Sequence, residues 1–195
     1  MKHGFYEHYF RDWAESSVRT PEGKHVGVKR VYIGDYYRQD LSAWQYAAVR
    51  VGYVLLFAGA VYLFIHAAFR DTISNMVLLV ALPTGAAVLA LFCLLLALAV
   101  YVFSKKEMTV GEHWESSVLM RQIAAAAAGC VGCAAVFTLV CAARHPRSLA
   151  TEEYKAAAEF AVSALLLLTM SLVERRIPYI TRPSGNEKPD DSLRI

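Results

Sequence analysis

The stretch MVLLVALPTGAAVLALFCLLLALAVYV, Met76–Val102, contains no charged residue. About 20 apolar residues suffice for a helix to cross a bilayer, and soluble domains rarely hold such a run. Three further apolar stretches flank it, at roughly Trp44–Phe69, Val118–Ala143 and Ala156–Val173, and the quoted one widens to Ile73–Phe103. In lipid only a helix or a closed barrel satisfies every backbone polar group. The pattern therefore predicts an all-α membrane protein, an up-and-down four-helix transmembrane bundle with spans at about 44–69, 73–103, 118–143 and 156–173. A hydrophobic content of 56% and a mean hydropathy of +0.35 agree with that class. The expected organisation is a cytoplasmic, membrane-associated segment at 1–42, the bundle at 43–177 and a disordered cytoplasmic tail at 178–195, whose composition is rich in Pro, Ser, Gly, Asn and charge.

The basic residues set the expected orientation. Sixteen lie in or beside the amino-terminal segment, the middle loop and the tail. Four, Arg70, Arg144, Arg147 and Lys155, lie on the other side of the proposed spans. Lysine and arginine concentrate in cytoplasmic segments, which places both termini in the cytoplasm of a multi-pass protein of the plasma or inner membrane. The first 40 residues hold no apolar region ahead of a small-residue cleavage site, so the first span is expected to act as an uncleaved anchor. Acids interleave with the bases, and the net charge is only +3. A nucleic-acid reader would show a basic stripe instead, and nucleic acid is not an expected partner.

Residues 4–16 have the period of an amphipathic helix. Phe5, Tyr6, Tyr9, Phe10 and Trp13 share one arc and charged residues fill the rest. Such a stripe suits the inner leaflet or the cytoplasmic ends of the spans. Trp44 and Trp114 are the matching membrane-interface aromatics. Thr20-Pro21-Glu22-Gly23-Lys24 is a turn signal, with fixed φ followed by tolerance of positive φ. Val26, Val28, Val31, Tyr32 and Ile33 beyond it read as extended chain, giving a short β-hairpin.

Helix starts are marked by capping boxes at Ser42–Gln45 and Thr109–Glu112, and by Thr151 before span 4. The tight turn Arg70-Asp71-Thr72 makes spans 1 and 2 a helical hairpin. Pro83 interrupts the hydrogen-bond ladder of span 2. Small residues recur at four-residue spacing in span 3, as Ala125, Gly129 and Cys133, with Gly132 beside them; this allows close helix approach within the bundle or between copies. Trp13–Val18 echoes Trp114–Val118 with one residue dropped, a match short enough to read as coincidence.

Chemistry-bearing groups are few. Ionisable residues inside spans are expensive and mark function. Here Arg50, His66 and Glu159 are the candidates for an intramembrane polar site, each within a turn or two of a span end. No zinc-protease, phosphate-loop or Ser/His/Asp pattern is present, and no cofactor or metal is expected. All four cysteines lie inside spans, so no disulfide framework is implied.

Cys130-Val131-Gly132-Cys133 together with four spans resembles the vitamin K epoxide reductase family, membrane thiol oxidoreductases that use such a pair beside a quinone. The resemblance covers that tetrapeptide and the span count, and implies Cys130 and Cys133 as redox-active residues. Its pair lies deep in a span, and no second pair occurs in an outer loop.

Three functions follow in order. The first is a non-enzymatic integral membrane protein working as an interaction partner or accessory subunit, with the lipid bilayer, a second copy or another membrane subunit as partner. The second is a small transporter or channel-like protein. The third is a thiol–quinone oxidoreductase.

Overall fold

The protein was analysed as a computed structural model that describes residues 13–19, 25–144 and 147–183. Four of its helices are long and apolar enough to cross a membrane: α1 Ala43–Ala68, α2 Leu78–Phe103, α3 Val110–Ala142 and α4 Arg147–Arg176. Five strands accompany them: β1 Trp13–Arg19, β2 His25–Tyr32, β3 Tyr36–Gln39, β4 Glu107–Met108 and β5 Tyr179–Arg182. The chain divides into two compact units. One is formed by Leu41–Ser104 and Glu115–Ile177; the other by the described residues up to Asp40, Lys105–Trp114 and those from Pro178 on.

In the helical unit, α3 packs most extensively on α4, then on α2, and α1 packs mainly on α4. The order around the unit is α1, α4, α3, α2. Helices α1 and α2 follow each other in the chain yet touch little, so the expected helical hairpin is an open seam rather than a packed pair. The reason lies in residue size. Small buried residues on α3 (Ala124, Ala127, Ala134) and α4 (Ala156, Ala157) let those two backbones approach. The facing parts of α1 and α2 carry Val54, Tyr62, Leu95 and Phe103, which remain exposed. The interior is filled by Ala60, Phe64, Leu94, Val131, Phe160 and Leu167, and the Ser163 hydroxyl donates to the Ala60 carbonyl at 2.8 Å.

Local chemistry sets the helix limits. At Ser42 the hydroxyl accepts from Gln45 N–H at 3.3 Å while the glutamine oxygen accepts from Ser42 N–H at 3.0 Å. Span 2 was expected from Ile73, but α2 begins at Leu78, after a 3-10 turn over Ser74–Met76. The Asn75 side-chain amide causes this offset: it donates to the carbonyls of Ala67, Ala68 and Arg70 at 2.9–3.2 Å. It thereby closes the end of α1, whose last carbonyls lack helical partners. Helix α4 begins at Arg147 and extends to Arg176, well beyond the expected 156–173, so Thr151 lies inside the helix and is not its cap.

The second unit holds two antiparallel sheets. Strands β1 and β2 pair with Trp13 opposite Tyr32 and Val18 opposite Gly27. Strand β3 is central in the order β4-β3-β5, with Tyr37 opposite Met108 and Thr181. In the 109–112 segment Glu112 N–H donates to Thr109 Oγ1 at 3.3 Å and Thr109 N–H to Glu112 Oε2 at 2.9 Å, the expected capping box.

Trp13–Ser16 were assigned to an amphipathic helix, but they open β1. The aromatic period ends at Trp13, and Ser16, Ser17 and Val18 beyond it are weak helix formers, so a partner strand decides their conformation. Phe5, Tyr6, Tyr9 and Phe10, and the turn at 20–24, lie outside the described residues. The tail was expected to be disordered from residue 178, but Tyr179–Arg182 forms β5; alternating Tyr179, Ile180 and Thr181 are strand formers that find β3 as a template. The echoed segments also diverge: Trp13–Arg19 is a strand, whereas Trp114–Val118 is a π-helical turn inside α3.

Candidate functional site

The buried face of α4 runs through Glu153, Ala156, Phe160, Ser163, Leu167, Met170 and Glu174. The spacing of three and four residues is that of one helix face. A glutamate stands at each end of it, both 2% exposed.

Around Glu174, one oxygen (Oε2) accepts from Tyr53 Oη at 2.8 Å and Tyr101 Oη at 3.1 Å, and the other (Oε1) accepts from Ser117 Oγ at 2.5 Å. These donors come from α1, α2 and α3, so one carboxylate joins all four helices. The π-helical turn Trp114–Val118 is the local irregularity that accompanies Ser117's place in this cluster. The Tyr53 and Tyr101 rings lie 5.5 Å apart and seal it with apolar surface. Buried carboxylates are costly unless hydrogen-bonded, and three hydroxyl donors meet that need.

The far end of α4 carries a second, more open cluster. Arg70 reaches Glu152 at 2.6 Å and also bonds Glu159, which in turn accepts from or pairs with His66 Nδ1 at 3.0 Å. Lys155 joins Glu152 at 2.6 Å. Hydrogen bonding to Glu152, then to Glu159, holds the Arg70 guanidinium above its ordinary pKa. Beneath this cluster Glu153 Oε1 accepts from Ser74 N–H at 3.1 Å, while its other oxygen has no partner among the described residues.

The structure thus brings His66 and Glu159 together, with Arg70 between them. Arg50 is elsewhere: its Nη2 donates to the Ser104 carbonyl at 2.5 Å and Ser104 Oγ at 3.1 Å, and it bonds Tyr46. Within this chain Ala125, Gly129 and Cys133 face outward, and a Cβ on Gly129 would meet nothing within 4 Å. The internal packing face is the adjacent one, centred on Ala124, Ala127, Val131 and Ala134; the step from one to the other is a rotation of about 100° per residue. Gly132 lies between the two; a Cβ placed on it would stand 4.0 Å from the Ala164 Cβ. Cys130 is half-buried and Cys133 exposed, both as free thiols. Trp13, Trp44 and Trp114 are all exposed.

Sequence reading missed Glu174 and Glu153. The signal was the α4 period itself, which passes through both glutamates. No group of histidine, cysteine and carboxylates among the described residues is arranged to hold a metal. Comparison with protein-family models, with curated proteins and with solved structures finds no match.

Proposed function

We propose that the chain is a non-enzymatic, multi-pass protein of the plasma or inner membrane, an up-and-down four-helix bundle that acts through contacts as an accessory or interaction subunit. One observation carries this reading. The bundle's ionisable groups lie towards its two ends, as with Glu174 at one and Arg70 with Glu159 at the other, while the space between is filled by Phe64, Leu94, Val131, Phe160 and Leu167. A transporter needs a polar path at mid-depth, and a scaffold needs a rigid one-piece bundle.

Both termini are cytoplasmic in this proposal. The uneven spread of basic residues supports the cytoplasmic side, and the sheet supports one common side for both ends. Strands β3, β4 and β5 come from the segment before α1, the loop between α2 and α3, and the chain after α4. Segments paired in one sheet share a side of the membrane, which four crossings provide.

The deciding experiment is flux. Purified protein reconstituted in liposomes with an internal pH dye should leave proton and small-cation gradients intact. Dissipation abolished by Glu174→Gln would overturn the accessory reading in favour of the small transporter, whose support is the burial of Glu174. The redox alternative rests on Cys130 and Cys133. Their double change to Ala should leave folding unaltered, at about 1 kcal/mol or less each for a near-isosteric swap; a Cys130–Cys133 disulfide trapped in cells would promote the oxidoreductase.

A further inference from the structure

The seam between α1 and α2 is a groove of about 510 Å³, lined by Val54, Ala58 and Val61 of α1 and Leu95, Ala99 and Phe103 of α2, with almost no polar surface. Arg50 lies one turn before Val54 on the same face of α1, and its Nη2 bridges to Ser104, the residue after Phe103. So the groove has a guanidinium at one end. That guanidinium is half-buried, and among the described residues no carboxylate pairs with it. Its partners are a hydroxyl pair and a carbonyl, all neutral; Nη1 has none among the described residues. A half-buried cation without an anion is an incomplete site, because buried charges are retained with a counter-charge.

We propose that this seam binds one anionic phospholipid, with an acyl chain in the groove and the phosphate on Arg50. Dimensions select the occupant. The lining runs from Val54 to Tyr62 and from Leu95 to Phe103, about 12 Å on each helix at 1.5 Å per residue. Adding the turn back to Arg50 gives about 18 Å, close to one leaflet from phosphate to chain end, half of a bilayer of about 40–45 Å. A helix from a second copy would need a seam running through both leaflets, roughly 30 Å of hydrocarbon. Arginine presents several N–H donors in a planar fork that matches phosphate oxygens. Trp44, exposed at the same end of α1, belongs to the headgroup layer where such a phosphate sits.

The test uses the full chain, purified with an equal mixture of phosphatidylglycerol and phosphatidylcholine and examined by native mass spectrometry. Wild type should retain one phosphatidylglycerol per chain, favoured about tenfold over phosphatidylcholine. Arg50→Gln should remove the preference, Arg50→Lys should keep most of it, and Ala99→Trp, which fills the groove and spares Arg50, should remove retention of both lipids. Equal retention of the two lipids by wild type overturns the proposal. So does an undiminished preference in Arg50→Gln, or a dimer that Ala99→Trp dissociates. Should Arg50→Gln not fold, the contrast between Arg50→Lys and Ala99→Trp decides in the same way.

Discussion

Tyr53 donates to Glu174 across 121 residues of chain, and both side chains are 2% exposed. The bond ties the first helix to the last. Tyr101 and Ser117 complete the same carboxylate from the two helices between. A single side chain near the end of α4 therefore reports on whether all four helices have assembled.

Replacing Glu174 with Leu should destabilise the bundle by at least about 2 kcal/mol, since interhelical hydrogen bonds in membranes average roughly 0.6 kcal/mol each and the three from Tyr53, Tyr101 and Ser117 are lost. For a chain of this size that lowers the melting temperature by about 4–8 °C. Glu174→Gln keeps an acceptor for the hydroxyls and should cost less than half as much. Thermal unfolding in detergent reads both. Equal losses for Leu and Gln would mean that the negative charge, rather than the hydrogen bonds, holds the site.

The interior contact of α3 with α4 makes a second prediction. Ala134 is fully buried and belongs to the interior cluster. Ala134→Leu overfills that contact and should cost about 1–3 kcal/mol or more. Ala126 is exposed on the same helix, so Ala126→Leu should leave the melting temperature unchanged. Loss of stability in both would place α3 in a different rotation about its axis.

Asn75 makes a third. Its amide holds three carbonyls at the end of α1. Asn75→Asp keeps the shape, removes the donors and brings a negative charge to those carbonyls. It should cost more than Asn75→Ala, which should cost about 1 kcal/mol as a typical net hydrogen-bond loss. If Asp and Ala are equivalent by thermal unfolding, the amide is not the cap.

How much of this was legible in the sequence depends on which neighbour decides a residue's state. The four long apolar helices were legible because length and apolarity alone mark them: Met76–Val102 needs no partner to read as a helix long and apolar enough to cross a membrane. The two capping boxes were legible because both partners lie within four residues. The β3–β4–β5 sheet was not, because Tyr37, Met108 and Thr181 meet only through tertiary pairing, and four-residue strands leave almost no period to read. The candidate polar site was half legible. His66 and Glu159 stand out as ionisable groups in apolar helices, but Arg70, which joins them, reads locally as a turn residue. The outward rotation of Gly129 was hidden for a similar reason: a helix of small residues offers several similar stripes, and only the shape of α4 selects between them.

That rotation yields a fourth prediction. A Cβ on Gly129 would meet nothing within 4 Å, so Gly129→Leu should not lower stability; replacing a mid-helix glycine adds about 1 kcal/mol of helix propensity instead. Light scattering in detergent then separates the remaining options. An unchanged particle size makes Gly129 a lipid-facing position, whereas loss of an oligomer assigns Ala125, Gly129 and Cys133 to contact between copies.

The last prediction concerns topology and uses the sheet as its internal control. With the four native cysteines changed to Ala, single cysteines are placed at Asp71, Lys106 and Ile180, of which Asp71 and Ile180 are exposed. Asp71 lies between α1 and α2 and should react with a membrane-impermeant maleimide on intact cells. Lys106 precedes β4 and Ile180 lies in β5; both strands pair with β3, opposite Tyr37 and Arg38. Both positions should therefore be protected until the membrane is permeabilised, and both should then label together. Protection of Asp71 with labelling of the other two would invert the orientation and keep the four crossings. Labelling of Lys106 and Ile180 from opposite sides would be a stronger result. It would mean that an odd number of spans separates them, and would overturn the two crossings proposed between β4 and β5.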